Sequence, residues 1–174
     1  MSVLCLRNAQ QARRVDLRFL RKLIVFTLQE MFQETRFELG VRLVGSDEMA
    51  RINETFLHHA GSTDVVTFDY SDDSSLRFSH PSEQNCLKPA LPFLHGEIFI
   101  SIDDAVAQAK EFNSTWQSEL ARYVIHGILH LRGFDDLNPA ELRKMKREEN
   151  RVLELLSARF PLAKLQRQPK SKNG

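Results

Sequence analysis

The sequence predicts an α+β domain: a small mixed β-sheet packed with about five helices, one of which carries two histidines one turn apart. Three observations predict it. Strand-like runs at 37–45, 64–70 and 96–101 alternate with amphipathic stretches in the first half of the chain. From about residue 102 onward the helical stretches follow one another without a strand between them. The chain has 174 residues, 42% of them hydrophobic, which suffices for one sizeable core and argues for one domain, placed at 1–160.

Between Arg13 and Phe32, Val15, Leu17, Leu20, Leu23, Ile24, Leu28 and Met31 recur at spacings of three and four, which predicts an amphipathic helix. "FELGVRLVG" (37–45) alternates and is rich in Val and Leu, so it reads as a strand. Ser46 is then expected to cap a helix running through Ile52 and Phe56. "DVVTFDY" (64–70) and "GEIFIS" (96–101) are strand-like. The polar, proline-bearing stretch between them, from Ser71 to Leu91, is long for a connection in a compact domain and reads as an exposed insertion.

Asp103 or Asp104 is expected to open a helix through Ala105, Ala109 and Phe112, and Ser114 or Thr115 to cap the next, which contains Glu119. After "FDDLNP", Pro139 suits a first helical position, with Leu142, Met145, Val152, Leu153 and Leu156 on one side of the helix that follows. Pro161 is expected to stop it, leaving 161–174 as a basic, frayed tail.

Composition narrows the setting. Cys5 and Cys86 stand alone, without the paired spacing of a metal knuckle or a disulfide framework, which suits a reducing cytoplasm. No window approaches the roughly 18 apolar residues of a membrane span, and the first residues lack a secretory pattern. The net charge of +1 hides an asymmetry: residues 43–140 carry 6 basic and 15 acidic side chains, residues 141–174 carry 10 and 4. Such an arrangement can hold a cation at the acidic centre and a phosphate backbone along the basic flank, although a solvated helix face explains any single charge run equally well.

The chemistry concentrates in "HGILHLRGFDD", residues 126–136. On a helix, His126 and His130 point the same way. Gly133 can take the positive φ that ends the helix and returns Asp135 or Asp136 to the same point. Two imidazoles and a carboxylate, with one position open, form a catalytic zinc arrangement that activates water near neutral pH. A core helix with two satisfied histidines and a charged exit is the other reading, and spacing alone leaves both open.

"HGILHLRGFDD" resembles the signature of the YbeY endoribonuclease family, H-G-x-L-H-L-x-G-[YF]-D-H. "INETFLHHAGSTDVVTFDY" and "HGEIFISIDDAVAQAKEFNSTWQSELARYVIHG" are similar to two further segments of that family, so the resemblance spans about residues 40–150. It implies a metal-dependent hydrolase that cuts single-stranded RNA in ribosomal RNA maturation and ribosome quality control, working in the cytoplasm with ribosomal particles as partners. It also implies Zn2+, one per chain, held by His126 and His130 by identity and by Asp136 by position.

Asp135 and Glu97 are the nearest candidates for a base or a supporting role, so the catalytic set read from the sequence is His126, His130 and Asp135. Arg132, Arg143, Lys144, Lys146 and Arg147 lie close in sequence to the motif and are expected to contact the RNA backbone. Thr63 and Asp64 match the family's T-D pair ahead of a strand, where turn capping explains them equally well.

Three departures stand out. Asp136 replaces the family's third zinc histidine, which can favour another divalent metal. Leu57 stands where the family has a catalytic arginine, a residue suited to phosphate charge; His58 and His59 follow it. Asn113 replaces a histidine before Ser114 and cannot act as an acid or base near neutral pH.

Two other functions fit these departures. One is a ribosome-associated assembly factor whose metal site is structural or weakly active. The other is a metallopeptidase with a zincin-like metal-binding helix, against which Gly127 counts, since it occupies the place of the H-E-x-x-H general base.

Overall fold

A computed structural model describes residues 2–71 and 93–167. Four strands, β1 (Val3–Asn8), β2 (Phe37–Val44), β3 (Val65–Asp69) and β4 (Leu94–Ser101), form one sheet in the order β1-β2-β4-β3. β1, β2 and β4 run parallel and β3 is antiparallel at the edge, beside β4. Among the described residues five α-helices complete the α+β fold: α1 (Leu17–Phe26), α2 (Ser46–Ile52), α3 (Ile102–Glu111), α4 (Trp116–Leu131) and α5 (Pro139–Arg159).

Alternation along the strands assigns the two faces of the sheet. Leu39, Val41 and Leu43 of β2 and Ile98 and Ile100 of β4 are buried under α1, α3, α4 and α5, in one continuous core. On the other face, α2 covers only one end, where Met49 packs with Val44, Val66, Phe68 and Phe99. Glu97 lies on this second face and pairs with Arg42 at 2.9 Å. It therefore has no route to the histidines, and its sequence-based candidacy for a base or supporting role is withdrawn in favour of a surface charge.

Most helix starts follow from local chemistry. Asp16 caps α1 by accepting from the Arg18 and Phe19 amides, Thr115 caps α4, and Asn138 caps α5 with Pro139 at its first position. Two starts differ from expectation. Ser46 is the first residue of α2 rather than its cap, and its amide is satisfied by Asp103 Oδ2 at 2.8 Å. Ser101, not Asp103 or Asp104, caps α3. α1 and α2 each end in a single π turn, Thr27–Met31 and Asn53–Leu57.

Two segments were misread from the sequence. β1 was not foreseen, because only Leu4 of its six residues is fully buried, so the run carries little signal until β2 pairs with it. The stretch after Pro161 does not fray where expected: Leu162–Leu165 forms a 3-10 turn, Leu165 is buried, and the Arg167 amide donates to Arg14 O. One apolar side chain anchors a segment whose composition is that of a tail. Residues 168–174 and the insertion from Ser71 to Leu91, apart from Ser71 itself, lie outside the described residues.

α4 is buried nearly all round, as a central helix must be. It sits against β4 because two glycines let it: a Cβ at Gly127 would lie 2.6 Å from Ile98 Cγ2, and one at Gly96 would lie 2.5 Å from Phe68 O and 2.6 Å from Leu131 Cδ2. Gly127 therefore cannot be the glutamate of a zincin peptidase without moving the helix off the sheet. Gly127→Ala is expected to cost about 1–3 kcal/mol by overpacking. Urea denaturation checks this, and a change below about 0.5 kcal/mol, ordinary for a neutral surface substitution, would refute the close approach.

Candidate metal centre

His126 and His130 project from the last turns of α4, each with about a quarter of its side chain exposed. Each ring is held by its Nδ1. His126 Nδ1 lies 3.2 Å from Glu149 Oε2, and His130 Nδ1 lies 3.1 Å from the Phe134 carbonyl oxygen. Both partners are acceptors, so both Nδ1 atoms carry the proton and both Nε2 atoms present lone pairs.

Those two Nε2 atoms face each other at 3.1 Å. Two lone pairs so placed repel unless a proton on one of them or a metal ion between them resolves the contact. A tetrahedral ion with nitrogen bonds of ~2.0–2.1 Å sets two imidazole nitrogens about 3.3 Å apart, close to the distance found. The donor set thus fits a metal of zinc's size and preference for nitrogen.

A carboxylate from the following loop joins the two imidazoles. Gly133 takes φ +82° and closes α4, its amide donating to His130 O. The chain then doubles back and brings Asp136 Oδ2 to 4.0 Å from His130 Nε2. Ligand atoms of His126, His130 and Asp136 all lie within 4.8 Å of one another. Asp135, expected to act in catalysis, instead uses Oδ1 to accept from the Asp136 and Leu137 amides. It shapes the loop that presents Asp136.

Glu149 was missed by sequence reasoning. It is buried on α5, where Arg122 Nη1 donates to Oε1 at 2.6 Å and His126 occupies Oε2. A signal was available: Glu149 falls on the same stripe as the core residues Met145, Val152 and Leu153, where a carboxylate must find buried partners. Such outer partners orient a metal-binding imidazole and raise its basicity.

The charges separate the two histidines. Burial pulls the His126 pKa down, but Glu149, through its hydrogen bond and charge, with help from Asp64 and Asp136, leaves it above the ordinary histidine value. Burial and the neighbouring His126 together hold His130 below that value. Burial would raise Glu149, yet His126 and Arg122 keep it below the ordinary carboxylate range.

The other residues singled out from the sequence divide. Lys146 lines a cleft of about 580 Å3 on the His126 side, with Asp64, Glu119, Arg122, Tyr123 and Glu149. Asp64 also accepts from the Val65 amide, so it caps β3 and faces the cleft at once. Leu57 lines a smaller groove of about 250 Å3 on the His130 side, between Thr67, Asp69 and Leu131.

Arg132 bonds Glu34 at 2.9 Å and stacks over Phe32, which makes it a structural cation. Lys144 lies over Phe134, and Arg143 and Arg147 are exposed on α5 outside the cleft lining. His58 ends the π turn with φ 57°, and His59 is exposed beside it. Asn113 takes φ 52° in the turn between α3 and α4, a conformation asparagine tolerates better than most residues.

Comparison with known proteins gives the chain a family and a shared fold. Residues 6–157 match the family model described as Endoribonuclease YbeY. The chain is 32% identical over 148 residues to an endoribonuclease YbeY of Chlorobium phaeovibrioides, covering 76% of this chain and 88% of that one. It is 35% identical over 127 residues to that of Parabacteroides distasonis, covering 73% and 77%. A solution structure of a Thermotoga maritima protein superposes with TM-score 0.61 at 22% identity, covering 98% of this chain and all of that one, which shows a shared fold.

Glu149→Gln is expected to weaken zinc binding about 10–100-fold, the usual loss when the outer partner of a metal histidine is removed; competition with a chromogenic chelator measures it. In metal-free protein the Glu149–His126 pair stabilises the fold between two limits. The Glu149 contribution is present above pH 4.5 and lost as pH falls through its lowered value; the His126 contribution is present below pH 6.5 and lost as pH rises through its raised value. Denaturant midpoints across pH should therefore fall on both sides of that window in wild type and flatten in Glu149→Gln.

Proposed function

The chain belongs to the YbeY endoribonuclease family, and from that membership we propose that it is a metal-dependent endoribonuclease cutting single-stranded RNA in ribosomal RNA maturation and ribosome quality control. The observation that carries the reading is the convergence of the His126 and His130 Nε2 atoms with the Asp136 carboxylate. His126, His130 and Asp136 would hold a divalent ion, Zn2+ by the donor set, which would supply Lewis acidity toward a phosphodiester and a nucleophilic water for its hydrolysis.

The chain's own groups do the rest. Glu149 and the Phe134 carbonyl hold the two imidazoles in the tautomer that leaves Nε2 available. Lys146, Arg143, Lys144 and Arg147 on α5 offer cations to the RNA backbone beside the cleft. Arg132, tied to Glu34, contributes less. Asp135 positions Asp136 by accepting from its amide, and Asp69 adds a second carboxylate to the groove on the His130 side.

Leu57 favours a second reading. It lines the groove beside His130 and brings no charge to the place where an arginine would meet a phosphate. A ribosome-associated assembly factor with a weakly active metal site follows from that. No helix among the described residues is long and apolar enough to cross a membrane.

Metal analysis of the untagged protein tests the proposal first: one zinc per chain in wild type, falling sharply in His130→Ala and Asp136→Ala. A folded wild type that takes up no zinc, nickel or manganese would end the catalytic reading. Leu57→Arg separates the two readings. It is expected to raise the rate of cleavage of single-stranded RNA by about 10²-fold, as restoring a charge-stabilising donor should. An unchanged, negligible rate in metal-loaded Leu57→Arg favours the assembly factor.

A further inference from the structure

The metal centre lies between two openings, with His130 on the wall of the smaller groove and His126 on the wall of the larger cleft. We propose that the larger cleft receives a nucleobase of the RNA strand, the one next to the phosphate held at the metal centre. This inference rests on the endoribonuclease reading and adds to it a source of base preference.

The cleft's volume, about 580 Å3, falls within the ~300–1,000 Å3 typical of small-molecule sites. Its wall is mostly satisfied: Ser114 Oγ donates to Glu119, and Arg122 donates to Glu149 and, at 2.8 Å, to Asn150. One group is left over. Tyr123 is 2% exposed, lines the cleft, and its hydroxyl has no hydrogen-bond partner among the described residues. Buried hydroxyls are almost always paired, so an orphan at a cleft wall marks a place for a ligand acceptor.

The chemistry of that ligand follows from the rest of the lining. Arg122 and Lys146 offset most of the charge of Asp64, Glu119 and Glu149, so the lining carries little net charge and admits a neutral ring bearing carbonyl or ring-nitrogen acceptors. Phe112 at the cleft is 65% exposed and offers a face for stacking, and Lys146 supplies the cation for the backbone. An aromatic face, a buried donor and a nearby cation are how single-stranded RNA bases are bound.

The test titrates the full chain with each of the four nucleoside 5′-monophosphates, following the NMR signals of Gln108, Tyr123 and Asn150, in wild type, Tyr123→Phe and Phe112→Ala. At least one nucleotide should shift these signals. Its dissociation constant should rise about threefold to tenfold in Tyr123→Phe and about tenfold in Phe112→Ala. The melting temperature of Tyr123→Phe should equal or exceed that of wild type, since the hydroxyl serves the ligand and not the fold.

Shifts confined to other parts of the protein, or affinities unchanged in both variants, would overturn the proposal. Mapping cuts in a mixed-sequence RNA separates it from its premise. Nucleotide binding in the cleft without RNA cleavage keeps the base site and removes the nuclease. Cleavage whose base preference is the same in wild type and Tyr123→Phe, with no nucleotide in the cleft, keeps the nuclease and removes the base site.

Discussion

The close approach of α4 to β4 sets the geometry on which everything else depends. Two glycines, Gly127 on the helix and Gly96 on the strand, bring the helix backbone against Ile98 and let Leu131 fill the space over β4. A helix held this near the sheet cannot roll. Because 3.6 residues make a turn, fixing Gly127 against Ile98 also fixes the direction of His126 and His130 at the helix rim. The site inherits its rigidity from apolar packing rather than from its own polar contacts.

The polar contacts then select chemistry. Without Glu149 and the Phe134 carbonyl, each imidazole could turn and present either nitrogen. With them, both rings present Nε2 to one point. The buried Glu149 is kept ionised by Arg122 and His126, so three elements of charge on α4 and α5 depend on one another. This coupling ties the seating of α5 on α4 to the setting of the His126 ring.

The departures from the family pattern gain physical content from the fold. Asp136 comes to 4.0 Å from His130 Nε2 through the loop that follows Gly133. Asn113 occupies a left-handed turn position, where its short polar side chain suits the backbone. Leu57, by contrast, is 44% exposed on a groove wall.

Much of this was legible in the sequence. The strands at 37–44 and 65–69, the five helices, the one-turn spacing of His126 and His130, and the return of the chain at Gly133 all follow from local periodicity and backbone preference. Local rules suffice there because each involves residues within a turn or two of one another. They did not supply β1, which exists through its pairing with β2 more than thirty residues away, or the burial of Leu165 beside the start of α1.

Nor did they separate Glu97 from Glu149. Both are carboxylates within reach of the motif by sequence, yet strand alternation turns Glu97 to the far face of the sheet while the packing of α5 on α4 delivers Glu149 to His126. Spacing along one element was enough to bring His126 and His130 to one point. Only the meeting of separate elements decided which acid supports it and which surface opens beside it, because that depends on face and register across the fold.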